Sequence, residues 1–201
     1  MQTALIVIDV QESFRQRPLW STASNPEIVS DVNRLVDAAR SRGDHVIWIL
    51  HSEPGTADVF DPASGHVRLI DGLAPADGEP VLTKTSHNAF TTTNLQQHLV
   101  ARGVRHVVVC GIRTEQCVET TARLASDLGY EVTFVTEATV TFPTPHWESG
   151  DLTVEQLLAD PRTLPVAEII ARTEYALAGR FATIATVDQV AGQNAAVLTG
   201  S

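Results

Sequence analysis

Apolar residues fall along the chain in short unbroken runs, and longer segments with a helical stripe separate them. Thr3 to Val10, "TALIVIDV", is nearly continuous in its hydrophobicity, as expected of a strand covered on both faces. "NPEIVSDVNRLVDAARSRG" follows with Ile28, Val32, Leu35, Val36 and Ala39 on one helical face. Asn25 suits its N-cap, Pro26 its first position and Gly43 its end. "HVIWIL" reads as the next strand, residues 52–79 as a Pro/Gly/Asp-rich loop and "PVLTK" as a short strand ending at Lys84. "TNLQQHLVARG" is a helix whose Thr93 and Gln96 have capping-box spacing. "RHVVVCG" is a strand, residues 115–128 a helix and "EVTFVT" a strand. The tail adds a helix over 166–178, the small run "FATIAT" and a polar end.

Strands that alternate with helices imply right-handed crossovers and a mostly parallel, doubly wound sheet between two helical layers. The expected fold is therefore α/β, a single three-layer αβα domain over residues 1–201, with no linker or repeat to divide it. In such sheets ligands bind beyond the carboxyl ends of the strands. That rule selects three places: after Ile8, at Lys84, and from Gly111 to Cys117.

Composition narrows the partners. The formal net charge is -10, which opposes nucleic acid and anionic membrane surfaces because both are polyanions. No apolar run is long enough to span a bilayer, and the opening reads as a core strand rather than a secretory leader, so the expected location is the cytoplasm. The two cysteines, Cys110 and Cys117, flank a strand-to-helix turn and suggest no disulfide framework. Neither a G-x-G-x-x-G nor a phosphate-loop pattern occurs, so no nucleotide cofactor is expected.

The chemistry sits at the three strand ends. With Thr114 as N-cap, Cys117 falls in a first helical turn, where free amides and the dipole favour a thiolate and can hold an oxyanion. The same residue, with Thr121, Leu124 and Leu128 at helical spacing, also fits a core position. Asp9 ends a buried strand and needs a partner, a task or a capping role. Lys84 is either a solvated strand terminus or, pointing into the same cleft, a counter-charge for both. Cys110, in a strand interior, reads as a buried and inert thiol.

"VIDVQESF", "KTSHNAFTTTNLQQHL", "GIRTEQCVETTARLASDLGYEVTFVTEA" and the closing "LAGRFATIATVDQV" together resemble the isochorismatase-like cysteine hydrolases over nearly the whole chain. That resemblance implies a catalytic triad of Asp9, Lys84 and Cys117. It also implies a cis peptide between Ile112 and Arg113, and an oxyanion hole made by the backbone amides of Arg113 and Cys117. The implied activity is hydrolysis of a small amide or related C–N bond through a thioester. The alternative is vinyl-ether hydrolysis with Asp9 as acid and no covalent step. Nicotinamidases of this superfamily carry an Asp-x-His metal element after the second strand, where this chain has His51 and Glu53; the departure argues against a metal and against that activity. A third possibility, from another class, is a binding or redox-responsive protein in which Cys117 is oxidised or merely packed.

The candidate substrate contacts are Phe14, Phe60, Asn88, Phe90 and Ile112, with Trp20 and Trp147 as further wall candidates and His87, like Asn88, as a hydrogen-bonding candidate. Arg113 is positioned either to pair with a substrate carboxylate or to be solvated. The expected partner is a small-molecule substrate. The resemblance also implies a homo-oligomer, a dimer or tetramer.

Overall fold

A computed structural model describes residues 2–192. The last nine positions of the tail, including its polar end, lie outside the described residues, so they are not tested against the expected extent of the domain.

Six strands form one sheet: β1 (Gln2–Ile8), β2 (His45–His51), β3 (Val81–Lys84), β4 (Val104–Ile112), β5 (Glu131–Val140) and β6 (Thr183–Ala185). Their order is β3-β2-β1-β4-β5-β6, and every pair runs parallel. The helices are α1 (Glu12–Arg15), α2 (Ile28–Arg42), α3 (Leu95–Ala101), α4 (Glu119–Asp127), α5 (Val154–Ala159), α6 (Val166–Leu177) and α7 (Val187–Ala191). The order in which successive strands are added reverses between β1 and β4, the place where a doubly wound sheet opens a crevice.

The unbroken apolar run of β1 is explained by its two neighbours. Leu5 and Val7 join the core beneath α2 and α7, whereas Ala4, Ile6 and Ile8 join the core shared with α3 and α4. All five expected face residues of α2 are buried. Gly43 ends that helix with φ 75°, in the left-handed region where glycine carries no steric cost. Asn25 lies outside the helix, its Oδ1 accepting from the Glu27 N–H. A buried carboxylate, Glu119, ties α4 to α6 by pairing with Arg123 and Arg172 and accepting from the Thr173 hydroxyl.

Several expectations need correction. The capping box at Thr93 does not form: α3 starts at Leu95, and the Thr93 hydroxyl donates to the Ala89 carbonyl while accepting from the Leu95 N–H. Strand β5 runs on to Val140, beyond "EVTFVT", because extra residues on β5 between Phe134 and Thr139 shift the register and pairing with β4 resumes at Gly111–Thr139 and Ile112–Val140. The helix expected from 115 begins only at Glu119; residues Thr114–Val118 form a π turn closed by the Val118 N–H on the Arg113 carbonyl. Among the described residues no helix is long and apolar enough to cross a membrane.

Candidate active site

The carboxyl ends of β1, β2, β3 and β4 converge at one edge. Ile8 is in register with Gly111 on one side and Ile49 on the other, and His51 is in register with Lys84. Asp9 follows with φ 54°, a left-handed conformation that aspartate tolerates better than most residues. Its carboxylate is fully buried and meets Lys84 at the end of β3. Gln11, fully buried, locks this end to β2: its Oε1 accepts from the His51 N–H at 2.7 Å and its Nε2 donates to the His51 carbonyl at 3.0 Å.

Lys84 has no solvent-exposed surface and bridges the group. Its Nζ lies 2.8 Å from Asp9 Oδ2, 3.3 Å from Cys117 Sγ and 3.2 Å from His51 Nδ1. Because an ammonium only donates, His51 Nδ1 accepts; the ring proton then sits on Nε2, 3.3 Å from Glu53 Oε1. Cys117 is held from behind by Thr121, whose hydroxyl donates to the Cys117 carbonyl and accepts from the Ala89 N–H.

Cys117 stands in the π turn, and Thr114 is no N-cap, since its hydroxyl donates to Thr139 instead. The surroundings of the sulfur oppose the expected thiolate. Burial and the Asp9 charge push the Cys117 thiol up to about 12, against the opposing pull of Lys84. Burial likewise raises Asp9 above the ordinary carboxylate range, with Lys84 and the Cys117 thiol pulling it back. His51 is pushed below the ordinary imidazole value by burial and by Lys84. Cys110 is buried within β4, where burial pushes its thiol up to about 12, in keeping with an inert core position.

The sulfur and the carboxylate border a cavity of about 120 Å³. Phe14 and Phe60, edge to face at 5.0 Å, form part of its wall, with Trp20, His51, His87 and Arg113. Arg17, Leu19, Glu53, Gln116 and Phe142 also line it and were not anticipated. Three expected contacts lie elsewhere. Asn88 folds onto its own loop, its Oδ1 accepting from the Phe90 and Thr91 N–H groups. Phe90 packs in the core and stacks on Tyr130. Ile112 is fully buried in the opposite core. Trp147 is 84% exposed and stands apart from the cavity. Arg113 is not solvated as the second alternative had it: its guanidinium is largely buried, pairs with Glu115 at 3.0 Å and covers the Phe142 ring at 5.3 Å. The Ile112–Arg113 peptide bond is cis. Among the described residues no group of three or more His, Cys, Asp or Glu side chains is arranged to hold a metal ion.

The family model of the isochorismatase domain matches residues 3–164. The chain belongs to the isochorismatase family. Within it, the isochorismatase-family protein YrdC of Bacillus subtilis is 30% identical over 139 residues, covering 69% of this chain and 74% of its own. Streptothricin hydrolase of Streptomyces noursei is 32% identical over 150 residues, which are 71% of this chain and 51% of that protein. The crystal structure of an isochorismatase from Pseudomonas putida superposes with a TM-score of 0.80 and 31% identity, covering 94% of this chain and 89% of that one. An isochorismatase-family chain with this fold is a hydrolase.

Proposed function

We propose that this hydrolase cleaves a small amide or related C–N bond, using Cys117 as nucleophile. The observation that carries the reading is the contact set of Lys84, which places an ammonium against both the Asp9 carboxylate and the Cys117 sulfur at a cavity wall. In the proposed cycle Asp9 removes the Cys117 proton as the sulfur attacks the carbonyl carbon, and Lys84 offsets the negative charge that moves onto sulfur. The raised thiol fits attack concerted with proton transfer rather than a standing thiolate. The backbone amides of Arg113 and Cys117 receive the oxyanion. Protonated Asp9 then gives its proton to the departing nitrogen as the C–N bond breaks, leaving a thioester. Water, deprotonated by the same carboxylate, adds to the thioester carbon, and the C–S bond breaks to restore the thiol and release the acid.

Streptothricin hydrolase, a relative at 32% identity, is named for a hydrolysis and supports the reaction class. The vinyl-ether alternative draws on the raised Asp9, a carboxyl ready to act as acid, but assigns no role to a sulfur 3.3 Å from the buried lysine. Acid quenching during turnover on a panel of small amides separates the two. An acyl mass shift on Cys117 is expected, together with a loss of at least about a thousand-fold in turnover for Cys117→Ala. Undiminished turnover in that variant refutes the scheme.

A further inference from the structure

The cavity at Cys117 has a neighbour. The lining of a second cavity of about 710 Å³ includes the apolar Pro18, Pro143, Pro145, Leu152, Val154 and Leu157, with Asp151 among its polar members. Arg17, Leu19 and Arg113 line both, so the two spaces adjoin across a pair of guanidinium groups. The first space fits only a compact head, whereas the second is in the range of roughly 300–1,000 Å³ typical of ligand sites.

The two cations are incompletely satisfied. Arg113 spends a terminal nitrogen on Glu115 at 3.0 Å, the Thr144 hydroxyl at 3.2 Å and the Phe142 carbonyl at 3.4 Å. Its Nε is buried and has no hydrogen-bond partner. Arg17 reaches Asp58 at 2.7 Å, but that pair is about half exposed, so water already competes for it. Burial pushes the Arg113 guanidinium below its ordinary value; Glu115 opposes that and the charge of Arg17 adds to it. A buried N–H without an acceptor, beside a second cation, is a place where an incoming anion gains more than water does.

We propose that the site takes amides whose nitrogen bears a carbon carrying both a carboxylate and an apolar side chain. This is the class of N-acylated apolar amino acids. The carboxylate sits between Arg17 and Arg113, the side chain enters the larger cavity, and the compact acyl head lies at Cys117. This placement of the head rests on the hydrolase reading. Cleavage breaks the acyl C–N bond and adds the elements of water, giving the small acid and the free amino acid.

The probes are N-acetyl-leucine and N-acetyl-leucinamide, which differ only in the charged group, titrated calorimetrically into Cys117→Ala so that binding is read without turnover. The acid is expected to bind about ten- to a hundred-fold more tightly, as for one charge-assisted contact. N-acetyl-glycine is expected to bind more weakly than N-acetyl-leucine. Adding Arg17→Gln or Arg113→Gln is expected to narrow the gap between acid and amide. Arg17 is the safer of the two because its side chain is exposed, and circular dichroism checks folding. Equal binding of acid and amide, no binding of either, or a gap untouched by both substitutions overturns the proposal. Wild-type turnover is read separately. Cleavage of neutral amides through a Cys117 adduct, without preference for the acid, leaves the hydrolase reading standing and this inference refuted. Tight binding of the acid, with no cleavage by the wild type, does the reverse.

Discussion

Gly111→Ala is the sharpest test of how the sheet edge holds the site. Gly111 has φ +129°, and a Cβ built there would lie 1.9 Å from the Ile8 carbonyl oxygen, with the Ile8 carbonyl carbon and amide nitrogen at 2.7 and 2.8 Å. Every one of those atoms is backbone, so no side chain can rotate away. Ordinary contact needs about 3.5 Å, and the two strands must part by roughly 1 Å or more. The positive φ costs about 1–3 kcal/mol and the overpacking a further 1–3 or so. The expected loss is about 2–6 kcal/mol out of a stability of roughly 5–15. At about 2–4 °C per kcal/mol for a chain of this size, melting falls by ~4–24 °C. Ile8 directly precedes Asp9, so the displacement also carries the carboxylate away from Lys84, and a misplacement of about 1 Å costs on the order of a hundred-fold in rate. Gly43→Ala is the control: φ is +75° but nothing lies within 4 Å of the new carbon, so only about 1–2 kcal/mol of backbone strain is expected. Thermal unfolding followed by circular dichroism, with amide turnover on the folded protein, reads both quantities. A Gly111→Ala protein that melts no lower than Gly43→Ala and keeps full turnover refutes this account.

Three further outcomes follow from the buried charges. Lys84→Met strands the Asp9 carboxylate and should cost about 3–5 kcal/mol in urea unfolding, while Asp9→Asn with Lys84→Met together should cost clearly less than the two separate losses summed; strict additivity would mean the two do not act as a pair. Alkylation of Cys117 by iodoacetamide should accelerate by about a hundred-fold between roughly pH 7 and pH 9 without levelling, because burial raises the thiol to about 12; a plateau near neutrality would show a stabilised resting thiolate. In the proposed cycle Asp9 must be ionised to act as base, and burial raises it above 3.8, so the acid limb of kcat/KM should have its midpoint above that value. The sign is the same for stability: the folded chain holds this proton longer than the unfolded chain, so Asp9 makes stability decline as pH climbs from 3.8 through the raised value. A midpoint at or below 3.8 contradicts both.

What could be read from the chain was whatever depends on neighbours in sequence. The β1 run and the α2 face follow directly from periodicity, and both were correctly placed against the core. The strand-end rule brought Asp9, Lys84 and Cys117 to one edge, though not their roles. Three Thr-x-x-Gln spacings show where local reading stops: Thr153–Gln156 and Thr186–Gln189 close as capping boxes, while Thr93–Gln96 does not. The difference lies in a competing acceptor, the Ala89 carbonyl, which the fold brings to Thr93. The π turn at Thr114–Val118 is closed by the Val118 N–H on the Arg113 carbonyl and the Glu119 N–H on the Thr114 carbonyl, and it has no compositional mark. Arg17 and Phe142 reach the cavity by loop paths that only tertiary packing decides. Asn88 was the one miss with a local cue, because an asparagine preceding free amides commonly closes a turn on itself.

Much of the cavity wall comes from outside the sheet edge, although His51 at the end of β2 and Arg113 directly after β4 belong to both. Asp9 and Lys84 are rooted in paired strands and sealed from solvent, whereas Arg17, Leu19, Trp20 and Phe60 arrive on connecting segments. In the proposed cycle, bond-breaking and molecular choice therefore draw largely on different side chains. Substituting Phe60 alone is expected to change which compound is accepted while leaving the Asp9–Lys84 pair in place. Such an architecture lets new selectivities arise by drift in the connectors, without passing through a dead intermediate.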